Sequence, residues 1–148
     1  MSEMIPGITA SPEALNGVVW SILGQTYTHK QVSEHSMAWH ARFPAGTFVP
    51  PHTHPTQDEF IYVLTGQYTI WLEGTETVAN SGDLVRLPKG IPHGIFNKSE
   101  TTATRIFWVA PTRSLETLFE RIHNVSDPQE VVRIAAAHEV DFLPPPGG

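Results

Sequence analysis

The sequence predicts an all-β sandwich or barrel with two α-helices packed on it at the C-terminus, and three observations carry that expectation. Short strand-like runs recur along most of the chain, each bounded by Gly, Pro or polar clusters. Thirteen Pro and eleven Gly in 148 residues favour tight turns over long helices. After Pro111 the apolar residues switch to helical spacing.

The segment Ser11–Asn16 opens with a capping residue followed by Pro, the start of a short helical turn. Strands are then expected at Val18–Leu23, Thr26–Val32, Ser36–Phe43, Thr47–His52, Phe60–Leu64, Tyr68–Leu72, Thr75–Ala79, Leu84–Leu87, Gly94–Asn97 and Thr104–Val109. The turns between them hold Pro44-Ala45-Gly46, Thr65-Gly66, Glu73-Gly74, Asn80-Ser81-Gly82 and Pro88-Lys89-Gly90, where Gly tolerates and Pro pre-sets turn geometry. Leu115, Leu118, Phe119 and Ile122 form the apolar stripe of a first helix, with Ser114 as its N-cap. A second helix starts after Asp127, with Pro128 in its first position and Glu130 completing a capping box. Its packed face is expected to hold Val131, Val132, Ile134, Ala135 and His138. Both helices are too short to enclose a core of their own. They are therefore expected to clamp a barrel of residues 17–111, as segment 112–140 of a single domain 1–148 that ends in an extended tail, 141–148.

Composition excludes several function classes. Net charge is −6 with only nine Lys plus Arg, none clustered, so nucleic acid and anionic membrane are poor partners. The chain has no Cys, which rules out thiolate nucleophiles, iron–sulfur clusters and disulfides. The first ten residues lack the basic start and apolar run of a secretory signal. No apolar stretch approaches the roughly 20 residues that span a bilayer. A cytoplasmic location is the expectation.

The chemistry concentrates in two blocks. Gly46, His52, His54, Glu59 and Gly66 read G-x5-H-x-H-x4-E-x6-G, and Gly82, Pro88, Gly90, His93 and Asn97 read G-x5-P-x-G-x2-H-x3-N. Three imidazoles and one carboxylate make a complete ligand set for a divalent transition metal, with Fe, Ni, Mn, Zn, Co and Cu all compatible. Strand alternation points His52 and His54 the same way, and Glu59 reaches the same point from the start of the next strand. An isolated H-x-H is a weak signal, commonly a pair of exposed histidines; the joint filling of both blocks is what makes a metal site the expectation. By alternation Ile95 and Asn97 share a face with His93, and Ile61 and Val63 with Glu59. Asn97 reads as a structural hydrogen-bonding residue. Among the other histidines, His29 and His35 read as surface residues and His40 as pointing outward with Arg42. His123 and His138 read as helix C-terminal residues, where the dipole favours partial positive charge.

Both blocks match the two motifs of the cupin superfamily residue for residue, and the fifteen residues between them, Gln67–Ser81, resemble the short linker of bacterial members. The resemblance implies a small jelly-roll β-barrel holding the metal in its mouth through His52, His54, Glu59 and His93. The run D-E-F-I-Y-V-L-T-G, the strands before it and the helical C-terminus resemble single-domain quercetin-dioxygenase-like cupins over about residues 15–145. That resemblance implies a dioxygenase acting with O₂ on a small aromatic or enolisable substrate, with Glu59 as ligand and catalytic base. It also implies a homodimer, paired through sheet faces or an exchanged Val18–Leu23 strand. Two other readings stay open. One is an isomerase or lyase using the metal as Lewis acid, for which Arg42 and Arg105 are the only nearby cations to hold an anionic substrate. The other is a non-catalytic module that binds a small ligand.

Overall fold

Two antiparallel sheets face each other in the computed structural model, which describes residues 4–143. One sheet holds β1 (Val19–Ile22), β2 (Gln25–Val32), β3 (Met37–Phe43), β10 (Ala103–Ala110), β5 (Asp58–Thr65) and β8 (Leu84–Leu87), in that order across it. The other holds β11 (Asp141–Phe142), β4 (Phe48–Thr53), β9 (His93–Phe96), β6 (Gln67–Leu72) and β7 (Thr75–Asn80). From β3 onward the chain crosses repeatedly between the sheets, the connectivity of a jelly roll. All ten expected strands form, each within two residues of the expected ends. The expected helical turn forms later than Ser11–Asn16, as a 3₁₀ turn at Leu15–Gly17.

Alternation builds the core. Met37, Trp39, Ala41 and Phe43 of β3 and Ala103, Arg105, Phe107 and Val109 of β10 all point inward. Registers of Phe107 with Trp39 and Ile61 lock these strands side by side. At the β5–β6 turn the chain must bend sharply past β10. Gly66 has φ +75°, and a Cβ there would lie 2.9 Å from the Ala103 backbone. Gly66→Ala is expected to cost roughly 2–4 kcal/mol from left-handed strain and overpacking. Urea denaturation checks this, and a loss below about 0.5 kcal/mol would contradict the close approach.

α1 (Leu115–Ile122) and α2 (Pro128–Ala136) follow the barrel. The stripe of α1 is buried as expected, Phe119 lying 5.4 Å from Trp20, 5.2 Å from Tyr27 and 5.0 Å from Trp39 between ring centroids. Ser114 does not cap the helix with its side chain; its hydroxyl instead donates to the His138 carbonyl at 3.1 Å, joining the two helix ends. Asp127 does cap α2, accepting from the Gln129 N–H at 3.0 Å. Glu130 does not close the capping box, because its carboxylate binds Arg133 one turn on. The packed face of α2 narrows to Val131 and Ala135, with Val132 exposed and Ile134 and His138 half-buried. The tail is not wholly free either. Asp141 and Phe142 add β11 to the edge of β4, and residues 144–148 lie outside the described ones. No helix of the described residues is long and apolar enough to cross a membrane.

Candidate metal centre

His52, His54, Glu59 and His93 converge inside the barrel, each buried, with one donor atom apiece lying within 4.8 Å of the others. His52 comes from the end of β4 and pairs in register with His93 at the start of β9, after a bulge between Val49 and His52. His54 sits just past β4. Glu59 reaches across from β5 of the opposite sheet, flanked in register by Leu87 and Val109. The two sequence blocks are stitched together locally: the Gly90 N–H donates to the His54 carbonyl and the Lys89 N–H to the Asp58 carboxylate, both at 2.9 Å. All four residues expected as ligands are thus brought to one point, with Ile95, Asn97, Ile61 and Val63 on the buried faces that alternation assigns them. Asn97 is structural, donating to the Phe43 and Thr101 carbonyls.

The hydrogen bonds fix which imidazole nitrogens are free. His52 Nδ1 meets the Pro50 carbonyl at 2.7 Å and His93 Nδ1 meets the Ile91 carbonyl at 3.1 Å. A carbonyl only accepts, so both Nδ1 atoms carry the proton. His54 Nδ1 meets Gln57 Oε1 at 2.9 Å, while Gln57 Nε2 donates to the Pro111 and Thr112 carbonyls at 3.0 and 2.6 Å. Those two carbonyls orient the amide, so His54 Nδ1 is also the donor. All three Nε2 atoms therefore face Glu59: that of His54 lies 3.0 Å from Oε1, and that of His93, buried without a hydrogen bond, lies 3.6 Å away. Three inward lone pairs and one carboxylate fit a divalent metal. Bonds of about 2.0–2.2 Å place such donors roughly 3–4 Å apart, a contraction of at most about 2 Å from the 4.8 Å limit seen.

Electrostatics among the protein groups agree with that fit. Burial pushes the Glu59 pKa up, but the close contact with His54 at 3.0 Å and the charges of His54 and His93 outweigh it and hold the carboxyl well below its usual range. Burial lowers His54, yet the hydrogen bond and charge of Glu59, with Gln57 behind, raise it overall. His52 is driven well below its ordinary value by burial and by the neighbouring His93 and His54. A proton on His54 thus competes with metal more strongly than one on an ordinary imidazole. Metal affinity is expected to fall as pH drops from about 8 to about 6, because each Nε2 must be unprotonated to bind. Calorimetric titration across that range checks it, and pH-independent affinity would count against these ligands.

Gln57 is the site residue the sequence does not reveal, because its partners lie 54 and 55 positions away in Pro111 and Thr112. It orients His54 and ties the ligand to the start of the helical segment. Gln57→Ala is expected to weaken metal binding 10–100-fold, the typical effect of losing an outer partner. Competition with a chromophoric chelator measures this. His29 is also misplaced by the surface expectation. It is 2% exposed, packed on Trp20 at 5.0 Å and 3.8 Å from Glu116 of α1. Its alternation with buried Gln25 and Tyr27 on β2 was the available signal. His35 is exposed as expected, and His40 is half-buried on the outward face.

Comparison with known proteins agrees with this geometry. Residues 39–110 match the family described as Cupin domain. That segment, 72 of the 148 residues, is similar to a cupin domain. The pectin degradation protein KdgF of Dickeya dadantii (strain 3937) is 28% identical over 83 residues, covering 55% of this chain and 76% of that protein. The structure of KdgF from Halomonas sp. superposes with a TM-score of 0.59 at 26% identity, over 63% of this chain and 84% of that one. An RmlC-like cupin from Shewanella frigidimarina NCIMB 400 reaches a TM-score of 0.67 at 19% identity, over 78% of this chain and 99% of that one, a likeness of fold.

The mouth of the barrel is covered in this chain. A cavity of about 60 Å³ beside His52, His54 and Glu59 is walled by Tyr27, Trp39 and Phe107 of the barrel and by Leu118 and Phe119 of α1. α2 and β11 close it further through Val131, Ala135 and Phe142. Among the described residues no Lys, Arg, Ser, Thr, Asn or Gln lines it.

Proposed function

We propose that this protein is a metal-dependent oxygenase for a small, largely apolar, enolisable substrate. One observation carries the reading: the cavity offers an apolar and aromatic wall on every side except that of His52, His54 and Glu59. A divalent transition metal held by these residues supplies Lewis acidity and, if redox-active, a route to O₂ chemistry. The apolar wall orients the substrate by shape alone and excludes water from the site. Glu59 is ionised across the neutral range and is the only carboxylate in the wall among the described residues, so it is the acceptor for an enolic or hydroxyl proton.

Size restricts the substrate. Pockets for drug-sized ligands measure roughly 300–1,000 Å³, far above the 60 Å³ seen here. Small β-diketones suit the closed cavity, whereas a flavonol requires α1 and α2 to move. Oxygen-electrode assays with Fe-, Ni- and Mn-loaded protein test this on β-diketones, catechols and flavonols. Steady uptake with the small members is the expected result, and no uptake with any metal would remove the proposal.

The KdgF relatives support a second reading, a metal-assisted reaction that needs no oxygen. Their name points to pectin, a hydroxyl-rich polymer, and this cavity wall has no cationic or amide side chain to hold a sugar. Turnover of a sugar substrate under strict anaerobiosis would favour that reading over the oxygenase.

A further inference from the structure

β10 carries a full cation into the barrel where strand alternation calls for an apolar residue. Arg105 follows Ala103 and precedes Phe107 and Val109 on the inward face, and it is 0% exposed. Its register neighbours are Val63 of β5 and the small Ala41 of β3. Among the described residues no carboxylate pairs with it, and Nε, Nη1 and Nη2 all lack a hydrogen-bond partner. Its guanidinium carbon lies instead 3.4 Å from the Phe107 ring centroid, 4.2 Å from that of Phe43 and 4.6 Å from that of Tyr68. Aromatic faces stabilise a guanidinium through its plane and leave its N–H edge unsatisfied.

Two more idle buried donors belong to the side chains packed around it: Tyr68 directly, and Gln25 through Tyr27, which stacks on Phe43. Tyr68 Oη is buried without a partner. Tyr27 Oη donates to Gln25 Oε1 at 2.8 Å, which leaves the buried Gln25 Nε2 as another idle donor. The cluster spans both sheets, Tyr68 from β6 facing Arg105, Tyr27 and Gln25 of the other. It joins a positive charge to a phenol O–H and an amide N–H, with no acceptor assigned to any of them. An uncompensated buried charge is expensive, and a lone buried donor also carries a penalty. Glu59 acts on it only through space and makes no direct pair, its carboxylate being engaged with His54 and His93. Arg105 also stands four residues from Val109, the register partner of Glu59, about 13 Å along the strand. Phe107 and Tyr27 belong both to this cluster and to the wall of the metal cavity, so they partition the two.

We propose that the barrel interior holds a second site, separate from the metal centre, where Arg105, Tyr68 and Gln25 bind a small monoanion. The chemistry shared by its possible occupants is a compact single negative charge that only accepts hydrogen bonds, as in a halide or a simple carboxylate. Arg105 supplies charge and up to two parallel N–H donors, Tyr68 and Gln25 supply one each, and the aromatic cage excludes larger or doubly charged anions.

Bromide soaked into crystals of the full chain, located by its anomalous signal, tests the site directly. Density within hydrogen-bond distance of Arg105 is expected. In solution, wild-type protein in bromide or formate should melt roughly 2–4 °C higher than in sulfate at equal ionic strength. Tyr68→Phe keeps the cage and removes one donor, so it should fold and show the bromide effect at a several-fold higher concentration; Arg105→Met should lose the effect entirely. Formate that displaces bromide marks a carboxylate occupant, and bromide that persists marks a halide; both support the site. A water or no density beside Arg105, with equal melting in bromide and sulfate, would overturn it. Metal content is read separately on the same samples, so failure here and failure of the metal centre are distinguishable.

Discussion

Replacing His52 with Ala is expected to reduce bound metal from one equivalent per chain to a trace. His52 is at 4% exposure and points its Nε2 to the same centre as His54, His93 and Glu59. Removing it leaves two imidazoles and a carboxylate around a gap that water must fill. The loss should exceed the roughly 10–100-fold expected for an outer partner such as Gln57. Elemental analysis after equilibrium dialysis against a single metal checks this. The variant should stay folded, since residue 52 keeps its backbone register with His93 of β9 and Phe142 of β11 without the imidazole. Full metal occupancy in His52→Ala would mean that the binding site lies elsewhere.

Phe119→Ala carries the largest expected effect on stability. The ring contacts Trp20, Tyr27 and Trp39, so one side chain of α1 seals the helical segment onto the barrel. Its truncation should cost about 3–5 kcal/mol, as for other buried aromatic deletions. The melting temperature should fall by roughly 6–20 °C for a chain of this size. The same change enlarges the metal cavity, so flavonol-sized ligands excluded by the wild type should begin to quench tryptophan fluorescence. A cost under about 1 kcal/mol would mean that α1 does not seat on the barrel.

The strands were legible because each buries one face, and a period of two survives in residues such as Met37, Trp39, Ala41 and Phe43. The four candidate metal ligands were legible because their spacing is set by local turns. What escaped depends on groups far apart in the chain. Gln57 acquires its role only when Pro111 and Thr112 fold beside it. His29 is buried because α1 comes to lie over it, bringing Glu116 to 3.8 Å. Ser114 and Glu130 had cap-like positions, but tertiary and side-chain partners took them: the His138 carbonyl and Arg133. The clamp formed by the helices was anticipated, but its closure over the metal cavity follows from how Leu118, Phe119 and Val131 meet the barrel, which periodicity does not encode. Arg105 was visible only as a nearby cation; its burial without a counter-charge is a property of the packed barrel.

The central claim is that one metal is held by the Nε2 atoms of His52, His54 and His93 together with the Glu59 carboxylate. X-ray absorption spectroscopy of protein loaded with one equivalent of manganese or nickel tests it most directly. The account predicts a first shell of nitrogen and oxygen scatterers near 2.0–2.2 Å with the multiple-scattering pattern of three imidazoles, one of them lost in His93→Ala. A shell without imidazole scattering, or one unchanged by that substitution, would contradict it.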